Sequence, residues 1–243
     1  MTAGDEPDNA AGKADQGGSA SARIRERWRT HRLRPEPRWP MAAAVVACMV
    51  LHLALPRSLR LGSAWMLAVI VIVLLAVLII GDPGRIDRRA RWLAVVSGVM
   101  IGLITAINTW SAIMLVDGIL YTNTFPNPDQ LLLYGGIVWL TNAVAFALWY
   151  WDLDSGGSAE RYHGTGTAPA FIFPEMEYPQ YVGEHWYPRF IDYMTFSFAT
   201  AMAFSPTDVS AIKPWAKIMG MVESVVSLAL GTLVIARAIN ILQ

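Results

Sequence analysis

Apolar residues in this chain gather into long runs and do not alternate with polar ones. Residues 41–55 form a run of fifteen positions that stops at Pro56, with Trp39 just ahead of it, and predict a short helix. Residues 65–80 (WMLAVIVIVLLAVLII) are sixteen uninterrupted apolar positions, and with residues 61–64 they are long enough to cross a hydrocarbon core. Residues 92–116, 131–151 and 215–242 predict three further helices of that kind. The first of these carries Asn108 and Thr109 near its middle, and the second ends in Trp149-Tyr150-Trp151. One such run fits the core of a soluble helical protein. Five of them, with Trp or Arg at their ends, fit a bilayer. The expected fold is all-α, an integral membrane helical bundle of about five transmembrane helices plus one short re-entrant helix.

The polar stretches divide the chain. Residues 1–22 have no apolar period and predict disorder, because they bury too little surface to offset the entropy of ordering. From Arg23 to Arg38 there are seven arginines against Glu26 and Glu36, with Trp28 close by. A basic patch of this kind can suit nucleic acid, but the apolar run that follows makes it a juxtamembrane segment, with anionic lipid headgroups and not nucleic acid as its partner. Residues 1–40 are thus expected to be a disordered basic tail, residues 41–116 three transmembrane helices, and residues 131–243 a separate module.

Composition agrees with this division. The chain of 243 residues is 54% hydrophobic and 16% charged, with a mean hydropathy of +0.38, against roughly a quarter charged residues in ordinary soluble domains. Cys48 is the only cysteine, which excludes an intrachain disulfide framework. Eight of the nineteen Lys and Arg precede residue 40 and four more lie in residues 85–91. Both segments are therefore expected on the cytoplasmic side of a multi-pass plasma-membrane protein, with the N-terminus inside. Counting passes onward puts residues 152–214 inside as well.

Residues 152–214 are too long for a turn. Residues 152–189 predict an ordered loop rich in Gly, Pro and aromatics, and residues 190–201 a helix of only twelve residues, with Pro188 before it and Asp192 in its first turn. At about 1.5 Å per residue it reaches roughly halfway through a bilayer core. A half-helix, a polar turn over residues 202–208 and a full-length helix make the pattern of a re-entrant loop.

The stretch TFSFATAMAFSPTD, Thr195 to Asp208, resembles without gaps the pore helix and filter of two-helix potassium channels, Y-F-S-F-T-T-L-T-T-V-G-Y-G-D. Phe196, Ser197, Phe198, Thr200 and Asp208 match, and Pro214 stands where those channels have a proline after the filter. In its A-F-S-P-T-D form it also resembles an uncharacterised bacterial branch of membrane proteins with a degenerate pore loop. The resemblance implies a homo-oligomer, a tetramer, in which Thr200, Met202, Ala203, Phe204, Ser205, Pro206, Thr207 and Asp208 line an ion pathway for a monovalent cation. Ser205 and Thr207 replace the filter glycines, Phe204 replaces valine and Pro206 replaces tyrosine, so potassium selectivity is not expected.

In such a tetramer Asp208 would make a carboxylate ring; alternatively it caps the turn or pairs with Lys213. Glu223, Ser227 and Gly231 share a face of the last helix. Glu223 either lines the pathway or hydrogen-bonds the pore helix, and Gly231 is either a hinge or a close-packing site. Two functional readings follow, a pore-loop cation channel and a non-conducting membrane scaffold or regulatory protein that keeps a channel-like fold. An enzyme is not expected. His163, Glu175, Glu177, Glu184 and His185 lack metal-ligand spacing, and nothing calls for a cofactor. Channels of the resembled class carry the filter on the outside, which conflicts with the arginine count. Either the loop enters from the cytoplasm, or the short run 41–55 does not span.

Overall fold

The computed structural model describes residues 36–83, 85–86, 90–122, 125–163, 166–182, 186–202 and 208–242. The fold is helical. Strand β1 (Glu36–Pro37) leads into α1 (Trp39–Ala54), then α2 (Ala64–Gly81), strand β2 (Arg85–Ile86), α3 (Arg91–Leu120) and α4 (Pro128–Leu153). A connecting region follows, with short helices α5 (Ser158–His163), α6 (Pro174–Glu177) and α7 (Pro179–Val182) and strand β3 (Phe171–Ile172). Helix α8 (Phe190–Met202), strand β4 (Ser210–Ala211) and α9 (Pro214–Leu242) complete it. Helices α3, α4 and α9 are long and apolar enough to cross a membrane; α1 and α2 are apolar but shorter. At sixteen residues, α1 is about 24 Å long, under the roughly 30 Å of a hydrocarbon core.

Helix α4 is the centre of the bundle and packs against α9, α8, α3 and α1. Its second half is buried almost all round, through Ala143, Val144, Ala145, Ala147, Leu148, Tyr150 and Trp151. The small alanines let the neighbouring backbones come close. Gly135 serves the crossing with α9 in the same way, since a Cβ there would lie 2.7 Å from the Val234 methyls.

Two apolar clusters mark the two ends of the bundle. One gathers Val45, Val71, Ile101, Ile104, Leu148, Phe171 and Phe196. The other gathers Leu55, Leu59, Leu115, Leu131, Val138, Leu230 and Val234.

Polar contacts show which loops share an end. β1 pairs antiparallel with β2, Glu36 opposite Ile86 and Pro37 opposite Arg85. Arg38 Nη2 donates to Asp82 Oδ2 at 2.9 Å, in a buried ion pair. Burial lowers the pKa of this arginine, against the raising influence of Asp82. Ser97 Oγ donates to Asp152 Oδ1 at 2.7 Å, tying the start of α3 to the end of α4. β3 pairs antiparallel with β4, which places the chain entering α9 beside the chain leaving α4. The connecting region 152–189 therefore lies at the same end as β1 and the α2–α3 connector. α1 runs from β1 to the opposite cluster, so it traverses the bundle despite its length.

Several sequence expectations need correction here. Residues 36–40 are not part of a disordered tail: β1 is paired, and Arg38 is held by Asp82 instead of being open to lipid headgroups. Arg23 to Arg34 lie outside the described residues. The helices expected over 92–116 and 131–151 run longer, because the single polar residues Asp117, Asp129 and Asp152 do not interrupt helical hydrogen bonding. The loop expected over 152–189 contains three short helices and a strand.

Candidate functional site

Helix α8 has the bounds expected for the half-helix to within one residue, and its ends explain its placement. Its N-terminus is held by two carboxylates. The Phe190 backbone N–H donates to Glu36 Oε1 at 2.6 Å, and the Arg189 N–H donates to Asp192 Oδ2 at 2.7 Å. Both put negative charge where the first-turn N–H groups lack partners. Glu36 is 2% exposed and also accepts from Trp151 Nε1 at 3.0 Å and Ser158 Oγ at 2.8 Å. One carboxylate thus joins the end of α4, the start of α5 and the start of α8. Its field, second to burial, raises the pKa of the Tyr187 phenol just before α8.

A second carboxylate, Asp154, is fully buried and accepts from Ala170 N at 2.6 Å and Tyr193 Oη at 2.6 Å. Arg161 Nη1 donates to the Trp151 and Asp154 carbonyls at 2.8 and 2.7 Å and so caps the C-terminus of α4. Its guanidinium lies 5.2 Å from the centroid of the Tyr193 ring. Gly156 and Gly157, at φ +84° and +94°, turn the chain from α4 into α5, where glycine is favoured.

From this anchored start α8 descends between α4 and α9. Ser197 is fully buried and donates 2.6 Å to the Ala143 carbonyl of α4; it also lies within hydrogen-bond reach of Glu223 Oε1 on α9. Tyr150 Oη donates to Glu223 Oε2 at 2.6 Å. One turn further along α9, Asn142 Nδ2 donates to Ser227 Oγ at 3.2 Å. At the far end of α8, Ser224 Oγ donates to the Thr200 carbonyl at 3.4 Å. Ser224 is ten residues beyond the start of α9, yet β4 brings the chain back to β3 by Ser210. Ser210 therefore lies beside β3 again, and residues 203–207, between it and α8, lie outside the described residues.

Each expected site residue can now be placed. Thr200 is half-buried, and its hydroxyl donates to the Phe196 carbonyl 2.9 Å away, one turn back on its own helix. Met202 and Asp208 are exposed. Ala203, Phe204, Ser205, Pro206 and Thr207 lie outside the described residues. Lys213 donates to Thr167 Oγ1 at 3.2 Å, and among the described residues Asp208 makes no ion pair.

Glu223 and Ser227 are both buried against α4 and α8 inside one chain, so the α9 face they share with Leu230 and Val234 is a packing face within the protomer. Glu223 hydrogen-bonds the half-helix and does not face an open pathway. Gly231 sits off this contact, and a Cβ added there would meet nothing within 4 Å. His163 is exposed at the end of α5, Glu175 and Glu177 are in α6, and Glu184 and His185 lie outside the described residues.

The sequence reading missed Glu36, Asp154, Arg161, Tyr150 and Tyr193. Arg161 did carry a signal, being the only Lys or Arg between Arg91 and Arg189. A lone cation in so long a stretch without another Lys or Arg, with Asp152 and Asp154 close by in sequence, is a candidate for burial with partners. No protein-family model, no curated protein and no solved structure matches the chain.

Proposed function

We propose that this is an oligomeric pore-loop membrane protein that passes cations without potassium selectivity. The observation that carries the reading is α8 itself, a helix of 13 residues packed between α4 and α9, with the chain beside β3 again at Ser210. Its C-terminal end carries the partial negative charge of unpaired backbone carbonyls, a suitable boundary for a cation. Five passes with a cytoplasmic N-terminus would put the loop on the cytoplasmic side, since β4, which follows it in the chain, is at the same end as β1 and β2. The pathway would be completed by other copies around the 200–208 loop, with Asp208 at its mouth.

A second reading, a non-conducting scaffold, is favoured by one observation. The exposed face of α9 is apolar through Ile218, Met221, Val222, Val225 and Leu228, which suits lipid or a helix neighbour better than water. Purified protein of determined stoichiometry, reconstituted in planar bilayers, separates the two. Cation current from a tetramer supports the pore, and Asp208→Asn then shifts the reversal potential under a salt gradient. A verified tetramer silent under every ion gradient, voltage and pH tried leaves the scaffold.

A further inference from the structure

A cavity of about 190 Å³ opens at the anchored end of the bundle, between α1, α2, α3 and the α4–α5 turn. Most of its wall is apolar, including Met41, Leu78 and Leu93. Charge of both signs lines the rest. Arg38 and Asp82 neutralise each other there in their buried ion pair. Asp152 gives Oδ1 to Ser97, and its second oxygen accepts no hydrogen bond among the described residues. Arg161, whose field reaches Asp152, directs its Nη1 hydrogens to the Trp151 and Asp154 carbonyls. Glu160 adds a second carboxylate to the lining.

Arg91 lines the cavity as well; it is exposed and makes no ion pair among the described residues. Ala94, beside it on the first turn of α3, is exposed too. A helix apolar enough to cross a membrane shows its exposed flank to lipid, so this rim opens at headgroup depth.

An anion alone is disfavoured by the Asp152 carboxylate, and a soluble polar ligand by the apolar wall. A zwitterion with an acyl tail matches Arg91, Asp152 and the apolar wall together. We propose that the cavity seats the headgroup of an aminophospholipid bearing a primary ammonium, of phosphatidylethanolamine chemistry. Its phosphate rests on Arg91, its ammonium donates to the second oxygen of Asp152, and its chains lie along the α3 flank. The phosphate match is charge-assisted, and the ammonium match requires N–H groups that a trimethylated headgroup lacks.

The inference rests on the membrane reading and is independent of conduction, because binding and current are measured separately. The test is native mass spectrometry of the full chain in detergent, titrated with phosphatidylethanolamine, phosphatidylcholine and phosphatidylglycerol of identical chains. Phosphatidylethanolamine is expected to bind about tenfold tighter than either of the others, equivalent to about 1.4 kcal/mol. Asp152→Asn keeps the acceptor for Ser97 and should bring phosphatidylethanolamine down to the phosphatidylcholine level. Arg91→Gln should weaken all three lipids by a similar factor. Ala94→Phe closes the mouth from an exposed position outside the packed core, and should abolish the preference at an unchanged melting temperature. Equal binding of the three lipids to the unaltered protein, as for annular lipid only, would overturn the proposal. So would a preference that survives both Asp152→Asn and Ala94→Phe.

Discussion

Glu223→Ala removes the shared partner of two buried hydroxyls, and the size of the effect follows from counting hydrogens. Ser197 has one hydroxyl hydrogen but two acceptors within reach, the Ala143 carbonyl and Glu223. Tyr150 uses its own hydrogen on the other carboxyl oxygen. An ionised Glu223 leaves two acceptors competing for the Ser197 hydrogen. A protonated Glu223 supplies the missing donor, and the chain then runs Tyr150 to Glu223 to Ser197 to the Ala143 carbonyl with every hydrogen used. A glutamine reproduces that pattern, its amide N–H₂ taking the place of the acid proton and its carbonyl accepting from Tyr150.

The Tyr150 hydroxyl left without its acceptor costs about 1–3 kcal/mol, while Ser197 keeps its bond to the Ala143 carbonyl. Glu223→Ala should therefore destabilise by about 1–3 kcal/mol, and Glu223→Gln by under about 1 kcal/mol. Reversible unfolding in mixed detergent micelles, followed by tryptophan fluorescence, measures both. If Gln costs as much as Ala, Glu223 is not the neutral hydrogen-bonding link inferred here, and the hydrogen count is wrong.

The buried pair Arg38–Asp82 predicts asymmetry. Asp82→Asn or Arg38→Met alone should cost about 3–5 kcal/mol, while Arg38→Met with Asp82→Leu recovers most of that loss in the same unfolding assay. Gly135→Ala should destabilise by about 1–3 kcal/mol, since the new methyl overlaps Val234, and Val234→Ala should rescue it in a double-mutant cycle. Tyr187 has a folded-state pKa raised above its unfolded value by burial and then by Glu36. Its stabilising contribution is full below about pH 10 and is lost as pH rises through the folded value. Alkaline unfolding curves of Tyr187→Phe should lack that loss; curves that superimpose on those of the unaltered protein would remove the role.

Elements whose causes are local were legible in the sequence. The half-helix was predicted at 190–201 and found at Phe190–Met202, because Pro188, Asp192 and the apolar run are signals within a few residues of its start. Helix ends read from single charges were not, since Asp117 and Asp129 sit on helix surfaces without breaking the backbone ladder. The anchoring network was hidden for a different reason. Glu36 stands among arginines and reads as part of a solvated basic run, whereas its partners Ser158 and Phe190 are 122 and 154 residues away. The Glu223 contact was legible only as one of two alternatives. Sequence gave the face, and packing against Ser197 decided which way it turns.

Glu36 has a consequence for how the chain is made. It leaves the ribosome long before Phe190, so for most of synthesis this carboxylate precedes the helix start it will hold, and α8 cannot be fastened until the chain has passed through α1 to α7 and returned. Closing that long loop is an entropic cost met late, after the bundle of α1 to α4 has formed. A shortened form beginning after residue 37 would still insert its apolar helices, yet it would leave the N-terminus of α8 without its first acceptor and the Trp151 indole without a partner. An affinity tag or fluorescent fusion belongs before residue 36, with its linker clear of β1.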